Sequence, residues 1–150
     1  MSHFEDLKLG DRRELGAFTF TAERIKEFAR KFDPQPFHLD EAAGRASIFG
    51  GLAASGWHTT AVWMKLMVAA QLKDGENGAG ISPGIRDLKW PRPVLAGDTV
   101  SFATEIIELR PSASRPEWGL VVTRNSGVNQ RQQEVLSFIA SAFVPRRPNP

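Results

Sequence analysis

The sequence contains no cysteine, which removes disulfides, thiolate nucleophiles and cysteine-bound metal sites from the outset. Histidine is scarce too. The three present, His3, His38 and His58, lie in dissimilar contexts, so no ligand set for a metal is expected. Long hydrophobic runs are also missing: the most apolar stretch, "AVWMKLMVAAQL", is interrupted by Lys65 and is too short to span a bilayer. Nor is there an excess of one charge. Nineteen Lys and Arg against seventeen Asp and Glu leave a net charge of +2, with the cations scattered apart from the tail "PRRPNP". That distribution gives no basic stripe, and no nucleic-acid partner is expected. The opening "MSHFEDLKLGD" lacks a basic-then-apolar leader pattern, which predicts a cytoplasmic protein with no membrane partner.

What is present suits a globular domain. The chain is 150 residues long and 41% hydrophobic; at this length one domain, 1–150, is expected to bury about 68–70% of its unfolded surface. "RRELGAFTFT" alternates around Leu15, Phe18 and Phe20 and predicts a strand. Thr21 then reads as an N-cap, with Glu23 in the first turn to meet the helix dipole. Ile25, Phe28, Ala29 and Phe32 share one helical face. Asp33-Pro34 ends that helix, and Asp40 is positioned to cap a short one through "EAAGRA". After the glycine-rich "SIFGGLAASG", residues Ser55 to Leu72 form a longer helix, apolar nearly all round and so expected to be buried on most sides. Beyond it every strong segment is extended: "IRDLKW", "TVSFATEIIEL", "LVVTRNSGV" and "VLSFIASAFV", the last with Phe138, Ala140 and Ala142 on one face. This order predicts an α+β fold, with one antiparallel sheet wrapped around a long central helix.

The chemistry concentrates in "FDPQPFHLD". Asp33 and His38 are separated by five positions, with Pro34 and Pro36 between them. Prolines fix φ and keep the preceding residue out of the helical region, so the segment is expected to be a stiff extended bridge rather than another helical turn. An acid and an imidazole held in such a loop suit general acid–base work. Taken alone they also suit an Asx-turn and a backbone-bonded loop histidine. Gly56 admits two readings as well, a close approach by substrate or by another part of the chain. His58, Trp57, Trp63 and Met67 read as packing residues.

Three motifs in order, the acid-x-x-Pro-x-His-x-Asp loop, "SGWH" at the head of the long helix, and "KWPRPVLAGDTV", resemble the MaoC-like hydratase family, which includes the (R)-specific enoyl-CoA hydratases. The resemblance spans nearly the whole chain and implies the hot-dog fold. It implies Asp33 and His38 as the catalytic pair, and Gly56 as the residue whose backbone N–H meets the substrate thioester carbonyl, with Ser55 and Phe49 beside the substrate. It also implies an acyl-CoA substrate, no cofactor, and a homodimer or higher homo-oligomer. Phe37, Ile48, Phe49, Leu52 and Met64 are expected to set the depth of the acyl pocket. The sequence departs from the family where Gln35 replaces an asparagine, Ser55 a second histidine and Met64 a serine. Two other functions fit the fold: a thioesterase and a non-catalytic acyl-CoA or acyl-carrier binding module. Hot-dog thioesterases commonly place their acid on the central helix, and Ser55 to Leu72 contains no Asp or Glu.

Overall fold

The computed structural model describes residues 3–76 and 80–148. Strand β1 (Arg12–Thr19) precedes helix α1 (Ala22–Phe32), the short helices α2 (Pro36–Leu39) and α3 (Glu41–Ala46), and the long helix α4 (Gly56–Lys73). Strands β2 (Ile81–Lys89), β3 (Thr99–Pro111), β4 (Trp118–Val128) and β5 (Glu134–Pro145) follow. All pairings are antiparallel, and the sheet order is β1-β3-β4-β5-β2. Val100, Phe102, Leu136 and Phe138 turn inward from β3 and β5 to build the core with Phe20, Ile25 and Trp63. The β-branched and aromatic content of these strands favours that half-buried pleated surface. Register sets the polar pair Thr104 and Asn125 opposite each other on β3 and β4, with Phe138 of β5 opposite Asn125. The Thr104 hydroxyl donates to Asn125 Oδ1 at 2.7 Å, so these buried polar groups satisfy one another.

The caps fall where the sequence places them. Thr21 accepts from the Arg24 N–H, and the Asp40 carboxylate accepts from the Ala43 N–H at 2.8 Å. Two expectations change. Phe32, assigned to the inner face of α1, is 71% exposed, because the last turn of α1 runs past the core that Ile25 and Ala29 enter. The proline segment is extended only through Gln35; Pro36 then starts the one-turn helix α2. At the first helical position proline loses no hydrogen bond and its φ is already set, so the second proline begins a turn instead of prolonging the bridge.

Helix α4 is also less covered than its composition predicts. His58, Thr59, Val62 and Trp63 are its buried residues, while Trp57, Met64, Val68 and Leu72 are exposed. One five-stranded sheet covers one face of the helix and leaves the other free. Ile81, Ile85 and Trp90, on and just after the edge strand β2, are exposed as well. Between α4 and the sheet lies a cavity of about 720 Å³, lined by Trp57, Thr60, Met64, Met67, Val121 and Ala140 among others. Among the described residues, no helix is long and apolar enough to cross a membrane.

Candidate active site

Asp33 is the C-cap of α1, its N–H bonded to Ala29 O at 2.9 Å. That bond fixes the backbone from which the carboxylate projects. His38 lies on α2, 5% exposed. The two segments before and after it are tied down by backbone bonds. Ala53 N–H donates to Phe37 O, Ala54 N–H to Val94 O, and Ala96 N–H to Leu52 O. Residues 52–54 are thereby held between α2 and the stretch leading into β3. Gly44 permits this packing, because a Cβ there would stand 2.5 Å from Gly51 O.

The imidazole is oriented at both ends. Its Nδ1 is 2.5 Å from Ala53 O; a carbonyl only accepts, so Nδ1 carries the proton and donates. Its Nε2 is 3.3 Å from Asp33 Oδ2. The sequence-predicted pair is therefore in direct contact. Gln35 Nε2 donates to Asp33 Oδ1 at 2.8 Å. Partial burial works to raise the Asp33 pKa, and it is outweighed by the hydrogen bond from Gln35, the Ser55 hydroxyl and the charge of His38. The net position is below the ordinary carboxylate value. Phe37 and Phe49 flank the His38 ring, with centroids at 4.6 and 6.3 Å, giving one side of the pair an aromatic wall.

Ser55 immediately precedes α4 and is 1% exposed. Its hydroxyl helps to lower the Asp33 pKa, yet no group stands in full hydrogen-bond geometry to it. Gly56 is the first residue of α4, where backbone N–H groups have no intrahelical acceptor and the helix dipole is positive. Here the structure adds a residue that sequence reasoning left without a role. A Cβ on Gly56 would stand 2.3 Å from Cδ2 of Trp90, so an indole occupies the open side of that glycine. Trp90 Nε1–H donates to Thr60 Oγ1 at 3.1 Å, and Thr60 Oγ1 donates to Gly56 O at 2.9 Å. Trp57 meets Trp90 edge to face at 5.1 Å. The only advance signal was a tryptophan next to the proline pair of "KWPRP".

The other expected residues divide. Phe49 lies beside His38, whereas Leu52 belongs to the core and Ile48 is 96% exposed. Of the five residues expected to set pocket depth, Met64 lines the cavity and Phe37, Ile48, Phe49 and Leu52 do not. Asp33, His38, Phe49, Ser55 and Gly56 are likewise outside its lining. His58 packs flat on Phe28 at 4.6 Å and edge-on to Phe20 at 4.9 Å. Burial among these rings lowers its pKa to about 4, with a further contribution from Arg24, so it is a neutral packing residue at pH 7. Among the described residues, no group of three His, Cys, Asp or Glu side chains is arranged to hold a metal.

A family model described as a MaoC like domain matches residues 8–125. The crystal structure of a MaoC-like dehydratase from Rhodospirillum rubrum is similar to this chain over 99% of it and 100% of that chain, with 43% sequence identity and a TM-score of 0.90. Protein YdeM of Bacillus subtilis is 26% identical over 95% of this chain and 98% of its own length. Mesaconyl-CoA hydratase of Haloarcula hispanica is 29% identical over 77 residues, which are 51% of this chain and 22% of that protein. The five-stranded antiparallel sheet around α4 is the hot-dog fold.

Proposed function

We propose, from the premise that this chain belongs to the MaoC-like family, that it hydrates 2-enoyl-CoA thioesters to (R)-3-hydroxyacyl-CoA or runs the reverse dehydration. The observation that carries the reading is the 3.3 Å contact between Asp33 Oδ2 and His38 Nε2. When the imidazole carries its single proton on Nδ1, donating to Ala53 O, its Nε2 lone pair faces the Asp33 carboxylate. Both groups are acceptors, and a water molecule with two O–H donors satisfies them together. Its oxygen is then free to attack the β-carbon of an enoyl thioester.

The steps balance without an outside reagent. The water oxygen bonds to the β-carbon, one of the pair takes the released proton, and the π electrons move toward the thioester carbonyl. The α-carbon then takes a proton from the same pair, which returns to its starting state. Negative charge on the thioester oxygen in between suits the unpaired N–H groups at the start of α4. The acyl tail extends past Trp57 and Thr60 into the cavity under α4. A second copy of the chain covers the exposed apolar face of α4 and β2, since an unpaired apolar edge strand is ordinarily covered or paired. The thioesterase reading is disfavoured by α4 itself, which carries no acid from Gly56 to Lys73.

The test is a panel of 2-enoyl-CoA esters differing in chain length and branching, followed by loss of the conjugated thioester absorbance. Turnover by the wild type that is lost in Asp33→Asn and His38→Ala is the expected result. If both variants hydrate an accepted substrate at the wild-type rate, the pair does not catalyse and the binding-module reading takes its place.

A further inference from the structure

Ser55 is the polar residue of the site that the catalytic pair leaves without a role. It holds the N-cap position of α4, where a serine hydroxyl ordinarily accepts from an N–H two or three residues on. No such bond forms. The residue is 1% exposed and its Oγ is unpaired; a buried hydroxyl in that state is a cost to the fold. Two residues before Ser55, Ala53 O accepts from His38 Nδ1, so the chain carrying Ser55 runs alongside the pair, and the Ser55 hydroxyl helps to lower the Asp33 pKa. The Asp33 carboxylate has one oxygen against His38 and the other tethered by Gln35. Gln35 is an exposed residue, so its tether is open to competition from solvent. Ser55, by contrast, is shielded from solvent.

We propose that Ser55 is a positioning residue for Asp33, its Oγ–H donating to the carboxylate and holding Oδ2 in line with His38 Nε2. Fixed from the exposed side by Gln35 and from the buried side by Ser55, the carboxylate keeps one rotamer while its free lone pair faces the reacting water. This rests on the reading of Asp33 and His38 as the groups that act on substrate. It also gives a physical use to a hydroxyl that neither caps α4 nor finds another partner.

The experiment follows the Asp33 side-chain carboxyl by ¹³C NMR through an acid titration of the substrate-free protein, in wild type, Ser55→Ala and Ser55→Thr. Ser55→Ala is expected to move the Asp33 titration upward toward the ordinary carboxylate value, and Ser55→Thr to leave it in place. Against an accepted enoyl thioester, Ser55→Ala is expected to lose about 10–100-fold in kcat with KM nearly unchanged, as for one hydrogen bond to a charged group. The thermal midpoint of Ser55→Ala should fall at neutral pH and converge on that of the wild type as pH drops through the Asp33 titration, because the bond lost is one to the ionised carboxylate. An unmoved Asp33 titration in folded Ser55→Ala overturns the proposal. So does a lowered midpoint with the titration unchanged, which is the signature of a plain cap. If Ser55→Thr does not fold, the alanine titration decides alone. The titration needs no substrate: a wild type inactive on every enoyl thioester defeats the hydratase reading and leaves the Ser55–Asp33 bond to be judged on its own.

Discussion

Gly56→Ala separates the two reasons for placing a glycine at the head of α4. The added Cβ would lie 2.3, 2.4 and 2.8 Å from three ring atoms of Trp90, closer than real contacts allow, so the indole must swing away. Moving it breaks the Nε1–H bond to Thr60, worth about 1 kcal/mol net, and the edge-to-face contact with Trp57, worth about 0.5–1.5 kcal/mol. Alanine returns up to about 1 kcal/mol over glycine in a helix interior, and less at its first position. The net loss is about 1 kcal/mol, or a drop of roughly 2–4 °C in thermal midpoint for a chain of this size. Tryptophan emission and near-ultraviolet circular dichroism report the indole directly. The decisive measurement is a double-mutant cycle with Trp90→Ala, whose expected coupling is about 1 kcal/mol or more. Energies additive to within about 0.5 kcal/mol, with unchanged tryptophan spectra, would refute the close packing of Trp90 on Gly56. Alanine keeps the backbone N–H, so an activity loss that Trp90→Ala reverses belongs to the displaced indole and not to a missing donor.

Asp33→Asn and His38→Ala should each lose about 10²–10⁴-fold in kcat, and the double variant should be little worse than either, as expected of groups acting as a unit. His58 has a folded pKa of about 4 against 6.5 in the unfolded chain. The unfolded state therefore binds more protons between those values, and stability should fall as pH drops from about 6.5 to 4 and then level off. Urea midpoints across that range should lose this slope in His58→Phe. Asp33 is depressed instead, so its contribution is full above the unfolded carboxylate pKa and is lost as pH falls through the folded value. The stability gap between wild type and Asp33→Asn should close accordingly in acid. Light scattering at micromolar concentration should give at least twice the 16.6 kDa chain mass, and Ile85→Glu on β2 should reduce it; a monodisperse wild-type monomer would exclude the second copy.

Much of the fold was legible because local chemistry and tertiary demand agree. Thr21 and Asp40 cap the helices they precede, and the late strands alternate as an antiparallel sheet requires. Disagreements arise where local pattern is silent about what lies across from it. The apolar circumference of α4 says that the helix wants covering; it does not say that one sheet stops at His58, Thr59, Val62 and Trp63. Phe32 keeps the correct period and still overshoots the core. Pro36 stiffens the chain as expected, yet its position makes it a helix start. At the candidate site, the spacing of Asp33 and His38 foretold a shared loop, and the folded chain brings them to 3.3 Å. Trp90 was not foreseeable from spacing, because it reaches Gly56 across a separation that only the sheet and the bridge of Ala53 with Leu95 bring together.

The location of the cavity has an evolutionary meaning. Residues 33–38 and 53–56 carry the proposed acid–base pair and its supports, while the large space under α4 is walled by later helix residues and by Val121, Ala140 and Ala142 of the sheet. These two sets share no residue. Substitutions on the strand faces can widen, shorten or polarise the space without touching the bonds that orient His38. On the proposed reading, selection, or an engineer, can thus retune what the pocket accepts one side chain at a time while the acid–base pair is inherited intact.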